Sequence, residues 1–420
     1  MTTKHLSHGY LLTAHELLHD PYGGFNRLRE ENPIAQGNLN GSTVWIITRH
    51  DDVSAVLNDR RFVTNSGSVP GRTDEYAEVL EKMGIEPDLI PYLAGELVRT
   101  DPPEHTRLRK LVTRAFSARR VRELRPRVEA LTDQLLTGLP DHAAEDGSVD
   151  FIAHFAHPLP IMVICELLGV PRTDVARWQG WGSDYMSMEP RRLNTMLTEV
   201  AAYIGELADR RRAEPTDDLL TGLVQARDGD GRLSDTELVT MVLALMIAGY
   251  PTTSQLLGNG LVALLTHPDQ LALLREDPGL MPGAVQELLR WCGPAVVSKL
   301  RYAAEDIALG GTLIRQGDCV QVVLGSANHD PGRYTDPGRL DVTRGADASG
   351  PHHFGYSQGI HYCLGAMLAN QEAEVALAGL LGRYPDLALG VPEDRLEWKA
   401  QPLTRVLVRL PLSLGTARAA

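Results

Sequence analysis

From Ser234 to His267 the chain reads SDTELVTMVLALMIAGYPTTSQLLGNGLVALLTH, with Pro268 next; its first half is apolar around most of the helical circumference. Ser234 with Glu237 three residues on forms a capping box, in which each side chain satisfies a backbone N–H left over at a helix start. A helix of this length spans about 50 Å, far above the mean of about three turns. A rod apolar on nearly every side must be enclosed by other elements, so the pattern predicts a large helical body built around one long central helix. Gly249, Pro251, Thr252 and Thr253 interrupt it in consecutive turns. Proline donates nothing to the carbonyl four residues back and its ring clashes there, which predicts a kink at Pro251. A packing fault relieved by threonine hydroxyls explains such a cluster as well as a functional opening does; its central position favours function.

The rest of the chain agrees with a mainly α fold carrying small β-sheets. Only 5% of its 420 residues are aromatic and 43% are apolar, and Leu, Ala, Arg and Glu dominate. Strand patterns are confined to STVWIITRH (42–50), to the stretch from Lys299 to Val323, and to LTRVLVRLPLSL near the C-terminus. No internal repeat and no Pro/Gly/Ser-rich linker divides the chain, which reads as one domain over 1–420. A net charge of −13 argues against sequence-independent nucleic-acid binding. Cys165, Cys292, Cys319 and Cys363 are widely separated, with no C-x-x-C, so neither a disulfide framework nor a clustered zinc site is expected. The N-terminal segment lacks the apolar stretch of a signal peptide. The longest apolar run, Leu238 to Ala248, falls short of the ~18 residues of a membrane span. These features predict a soluble, cytoplasmic protein.

The run PHHFGYSQGIHYCLGA (351–366) holds the chemistry. GYSQG matches the G-x-S-x-G nucleophile elbow of serine hydrolases, but a hydrolase of that type places its acid and then its histidine after the serine. Here only His361 follows Ser357, with no acid between them. The competing reading takes Cys363 as a metal ligand. It opens a helical pattern, where unpaired N–H groups and the helix dipole favour the thiolate that binds metal. Gly359 and Gly365 would let the backbone pass close to something large and flat.

With its neighbours, GIHYCLGA resembles the haem-binding loop of the cytochrome P450 superfamily. Six other segments resemble that superfamily in the same order: DPPEHTRLRKLVTRAF (101–116), AGYPTT (248–253), ELLR (287–290), RYAAED (301–306), SANHDP (326–331) and DPGRLDVTR (336–344). The resemblance implies the helical prism fold with its long central I helix, in the style of the soluble bacterial members. It implies haem b as cofactor with Cys363 as the thiolate ligand of iron. His105, Arg109, Arg301 and His361 take the places of the propionate anchors, and Glu287 with Arg290, joined by Arg339, those of a structural ion pair behind the haem loop. Ala244, Ala248 and Thr252 are spaced by four and share one helix face. Ala248 and Gly249 leave room over the haem, and Thr252, or less directly Thr253, takes part in proton delivery during O2 activation. Gly365, Phe354, Tyr356 and Ser357 complete the loop. Ala244, Ala248, Val296, Val297 and Leu403 stand in substrate-pocket segments.

Two departures from the family pattern stand out. Pro251 replaces the acid that usually precedes the threonine and relays protons, so proton supply falls to water, to the substrate or to another residue. Tyr356 and Ser357 stand where the family prefers Phe and Gly; the F-G pair occurs two residues early, at Phe354–Gly355. Either Tyr356 takes the aromatic place or the loop bulges.

The implied reaction is monooxygenation of a bulky, moderately hydrophobic small molecule, such as a polyketide or peptide-derived secondary metabolite. O2 is the oxidant and NAD(P)H the electron source, through a ferredoxin and its reductase, since no flavin or iron–sulfur segment is evident. Arg109, Lys110, Arg114, Arg119 and Arg120 are candidates for the ferredoxin surface or simply solvated charges. The protein is expected to be a monomer that binds neither membrane nor nucleic acid. The rivals are a non-hydroxylating oxidase (coupling, desaturation or peroxide-driven) and a haem-thiolate gas sensor or carrier.

Overall fold

A computed structural model of the chain describes residues 10–11, 20–39, 41–228, 231–344, 352–399 and 404–417. It is mainly helical, with small mixed sheets. The central helix runs Asp235–Thr266 and is continuous through Pro251. Its start is the capping box: Ser234 N–H donates to Glu237 Oε2 at 2.7 Å and Glu237 N–H to Ser234 Oγ at 3.1 Å. Among the described residues it is the one helix long and apolar enough to cross a membrane, and half of that apolar stretch is buried inside the protein. Its glycines fit this core setting. A Cβ at Gly258 would lie 2.7 Å from Ile152 Cδ1, and one at Gly260 would lie 3.0 Å from Leu288 Cδ1.

The chain forms two compact units, the division falling inside this helix. The first comprises Met1–Val63, Thr132–Ala156 and Thr252–Ala420. Its main sheet has six strands in the order Tyr10–Leu11, Ile34–Leu39, Ser42–Ile47, Cys319–Val322, Arg301–Ala303 and Phe62–Val63. Ser42–Ile47 pairs antiparallel with Ile34–Leu39 and parallel with Cys319–Val322, Trp45 standing opposite Val320. Ile47, Val320 and Val322 face a core shared with Val53, Leu57, Phe62 and Phe354. Two elements of this unit carry the site, the helices Met281–Cys292 and Ala366–Arg383.

The second unit comprises Thr64–Leu131 and His157–Pro251. It is helical, with Glu104–Ala115, Pro158–Leu168, Val175–Ser187 and Pro190–Ala213 as its main members. Gly249 serves packing here: a Cβ would fall 2.8 Å from Ile164 Cδ1.

Three expectations are modified. Ile34–Leu39 is a strand that its sequence, IAQGNL, did not announce, since glutamine and glycine occupy its middle and its partner strand defines it. The final helix begins at Ala366 with Gly365 as its cap, so Cys363 lies in the turn before it rather than inside it. Leu403 lies outside the described residues.

Candidate functional site

In the first unit the segment from His352 to Gly365 wraps a buried scaffold. Phe354 is 2% exposed, and its N–H donates to the Asn328 side-chain oxygen at 2.7 Å. The His50 ring packs on Phe354 at 4.6 Å, Ser54 Oγ donates to Gln358 Oε1 at 2.9 Å, and His50 Nε2 lies 3.2 Å from the His352 carbonyl. Helix His50–Asn58 therefore anchors the loop from one side. Ser357 N–H closes a turn on the Phe354 carbonyl at 2.8 Å, and Cys363 N–H reaches the Tyr356 carbonyl at 3.0 Å. Two positions need left-handed backbone. Gly359 has φ +73°, and any Cβ there would meet the Leu57 carbonyl at 2.3 Å. Ser357 has φ 59°, a region a serine enters only at a cost. That geometry gives a physical reason for glycine to be favoured at this place. It also removes the hydrolase reading, because Ser357 sits on a plain turn and not between a strand and a helix.

Behind the loop stands a buried ion pair. Glu287 and Arg290 side chains are 1% and 2% exposed; Arg290 Nε donates to Glu287 Oε2 and Nη2 to Oε1, both at 2.7 Å. Arg290 Nη1 also donates to the carbonyls of Asn328, at 2.9 Å, and Pro337, at 2.8 Å. Asn328 thus joins the ion pair to Phe354 in the loop. Arg339 enters through its carbonyl, which accepts from Arg290 Nη2 at 3.2 Å. The second guanidinium on Glu287 is that of Arg344, Nε to Oε1 at 3.3 Å. Helical spacing could reveal Glu287 and Arg290, but Arg344 reaches the carboxylate from a turn. Asn328, an uncharged residue inside SANHDP, gave no electrostatic signal.

The donor set fits a flat iron complex that brings most of its own ligands. All four cysteines are free thiols. Burial pushes Cys165 and Cys292 up to about 12, which makes them inert packing residues. Cys363 is only half-buried, and a Cβ built on Gly365 would meet nothing nearer than the Cys363 sulfur at 4.0 Å. Space is open beside that sulfur. No group of three or more His, Cys, Asp or Glu among the described residues could hold a bare ion. A single thiolate such as Cys363 suits a metal that arrives with most of its other ligands, as haem iron does. Arg301 is 4% exposed, its Nη1 donating to the Phe62 carbonyl at 3.2 Å, and His361 is half-buried two residues from Cys363. On the central helix Thr252 is exposed, whereas Thr253 is 4% exposed and its neighbour Ser254 fully buried. Thr252 is thus the accessible hydroxyl of the pair. Val296 and Val297 belong to a buried cluster with Phe25, Val44 and Val323, so their side chains serve the core.

The second unit holds the other expected positions. His105 is 3% exposed and one helical turn from Arg109. Burial, with the Arg109 charge adding to it, holds its imidazole below the usual range, so it is neutral near pH 7. Ala248 is exposed, while Ala244, Gly249 and Pro251 are half-buried. Among the candidate docking cations, Arg119 pairs with Glu123 and Arg120 with Asp217, both at 3.1 Å.

Comparison with known proteins agrees with this geometry. The Cytochrome P450 family model matches residues 188–278 and 279–405. The 6-deoxyerythronolide B hydroxylase of Saccharopolyspora erythraea is 42% identical over 400 residues, covering 94% of this chain and 96% of that protein. Among solved structures, the bacillaene polyketide synthase cytochrome P450 PksS of Bacillus subtilis 168 superposes with a TM-score of 0.86 at 34% identity, covering 96% of this chain and 99% of that one. The ligand-free P450 monooxygenase TamI superposes with a TM-score of 0.85 at 39% identity, over 97% and 95% of the respective chains. With the helical fold, the long central helix and the cysteine loop in place, this chain belongs to the cytochrome P450 family and is an oxidoreductase of the monooxygenase type.

Proposed function

We propose that residues 1–420 form a single-domain haem-thiolate monooxygenase that inserts one oxygen atom of O2 into a bulky, moderately hydrophobic secondary metabolite, with a macrolactone-sized polyketide as the leading class. The other oxygen atom leaves as water, formed with two protons taken up from solvent and two electrons that NAD(P)H supplies through a ferredoxin reductase and ferredoxin. The observation that carries the reading is the half-buried Cys363 beside the open side of Gly365, on a loop tied to a buried ion pair. The polyketide class rests on the relatives, whose names include a 6-deoxyerythronolide B hydroxylase and a polyketide synthase P450.

When bound, haem b supplies the O2 and C–H chemistry, with electron density from a thiolate favouring O–O cleavage. The residues that would hold it are Cys363 as iron ligand, with Arg301 and His361 for the propionates; His105 and Arg109 are carried over from the family as further propionate partners. Buried propionates need such cationic or N–H partners to offset desolvation. The exposed Thr252 hydroxyl can accept and pass a proton, and Pro251 next to it cannot. Proline at the position where the family usually has an acid supports a second reading, in which the product is coupled or desaturated rather than hydroxylated.

Purified protein, titrated with a panel of macrolactones and followed by Soret shifts, then turned over with surrogate ferredoxin and reductase, tests the proposal. Ligand-induced shifts and a product gaining one oxygen atom support it. A product losing two hydrogens without gaining oxygen moves it to the second reading. Haem and ligand binding without product under reducing conditions overturns it in favour of a sensor or carrier.

A further inference from the structure

Tyr356 carries a hydroxyl at a position where the family prefers phenylalanine, and that hydroxyl is engaged. Its ring is 9% exposed, and the O–H donates to the Asn370 side-chain oxygen at 2.6 Å. The same oxygen accepts from Gln286 Nε2 at 3.0 Å, and Gln286 Oε1 lies 3.1 Å from His353 Nε2. The ring closes on the main chain, because Gly355 N–H donates to His353 Nδ1 at 3.0 Å. That one backbone donor orients the whole circuit. Nδ1 must be the acceptor, so the proton sits on Nε2, which requires the Gln286 oxygen. The Gln286 amide N–H then faces Asn370, which must present its own oxygen, and Tyr356 is left to donate. Burial holds the His353 imidazole down at about 4, which agrees with the neutral tautomer.

The circuit spans three elements: the loop, helix Met281–Cys292 through Gln286, and helix Ala366–Arg383 through Asn370. Tyr356 also accepts the Cys363 N–H on its carbonyl. It is therefore tied to Cys363 by its main chain and to the second turn of the following helix by its hydroxyl. We propose that Tyr356, acting with Asn370, Gln286 and His353, is a positioning residue that holds the Cys363 thiolate in register, with hydrogen bonds added to the aromatic packing that phenylalanine alone would provide. This rests on the assignment of Cys363 as the haem ligand.

The test uses haem-loaded protein and follows, over time, the red-shifted Soret band of the reduced carbonyl complex as it decays to the blue-shifted, thiol-ligated form. Tyr356→Phe leaves the ring and removes one buried hydrogen bond, and should speed that conversion roughly five- to tenfold, with secondary structure and thermal midpoint close to wild type. Asn370→Leu should do the same or more, and the double variant should convert no faster than Asn370→Leu alone, because the two groups act as one unit. If wild type shows the red-shifted band and Cys363→Ser lacks it, yet both single variants convert at the wild-type rate, the positioning role is overturned and the haem-thiolate reading stands. Additive effects in the double variant also overturn it. If wild type never shows the band, both fall together.

Discussion

Glu287→Ala removes a carboxylate that four hydrogen bonds define. Oε1 accepts from Arg290 Nη2 at 2.7 Å, Asp341 N–H at 3.0 Å and Arg344 Nε at 3.3 Å, and Oε2 accepts from Arg290 Nε at 2.7 Å. Alanine would leave the Arg290 guanidinium, 2% exposed, with carbonyl partners but no counter-charge. Breaking a buried pair from one side costs about 3–5 kcal/mol, a large share of a stability of about 5–15 kcal/mol. With unfolding entropy of about 2.1 cal/mol/K per residue, the 420-residue chain loses about 0.9 kcal/mol per kelvin. The expected drop in thermal midpoint is therefore about 3–6 °C, read by far-ultraviolet circular dichroism. Haem content after purification should fall as well, since Arg290 is linked through Asn328 to the loop at Phe354. Replacing both partners, Glu287→Leu with Arg290→Met, should recover part of the midpoint, because no lone charge remains buried. A single variant within about 1 °C of wild type, or a double variant worse than the single, would refute the reasoning.

Three further outcomes are expected. Ser357→Gly relieves a left-handed φ of 59°; the gain of about 1–2 kcal/mol is partly offset by glycine's larger unfolded entropy of about 0.5–1 kcal/mol, so denaturant unfolding should show a net change between about zero and about 1.5 kcal/mol of stabilisation, and destabilisation would contradict the backbone account. His329 and His353 are each held down at about 4 by burial. Both stay neutral in the fold while the unfolded chain takes up protons near pH 6.5, so stability is complete above that value and declines as pH falls towards 4; a midpoint flat across that window would contradict it. Pro251→Glu restores a backbone donor inside Asp235–Thr266 and adds a carboxylate, whereas Pro251→Ala restores only the donor. Both should raise the thermal midpoint, but only Pro251→Glu should raise product formed per NAD(P)H; equal ratios in the two variants would remove proton supply as the consequence of Pro251.

The features legible from the residues alone were those with local signatures. The capping box at Ser234 and Glu237 marked the start of the central helix, while the Glu287–Arg290 pair was expected from the family resemblance of ELLR, with which its one-turn spacing agrees. The residues that join these parts carried no such mark. Arg344 reaches Glu287 by a turn, Asn328 links ion pair to loop through one amide, and Asn370 meets Tyr356 fourteen residues away; each contact exists only once the chain has folded. The oddity at Ser357 was visible as a departure from glycine, but its reason, a positive φ, is a property of the backbone path. Gly249 illustrates the reverse case. Its position in the central helix pointed to the haem, whereas the room it leaves is taken by Ile164.

The central claim is that Cys363 binds haem iron as a thiolate. The most direct measurement is the Soret band of the dithionite-reduced carbonyl complex in wild type and Cys363→Ser. The account predicts a strongly red-shifted band in wild type and its loss in the serine variant. A haem-loaded wild type lacking that band, or a serine variant retaining it, would contradict the account.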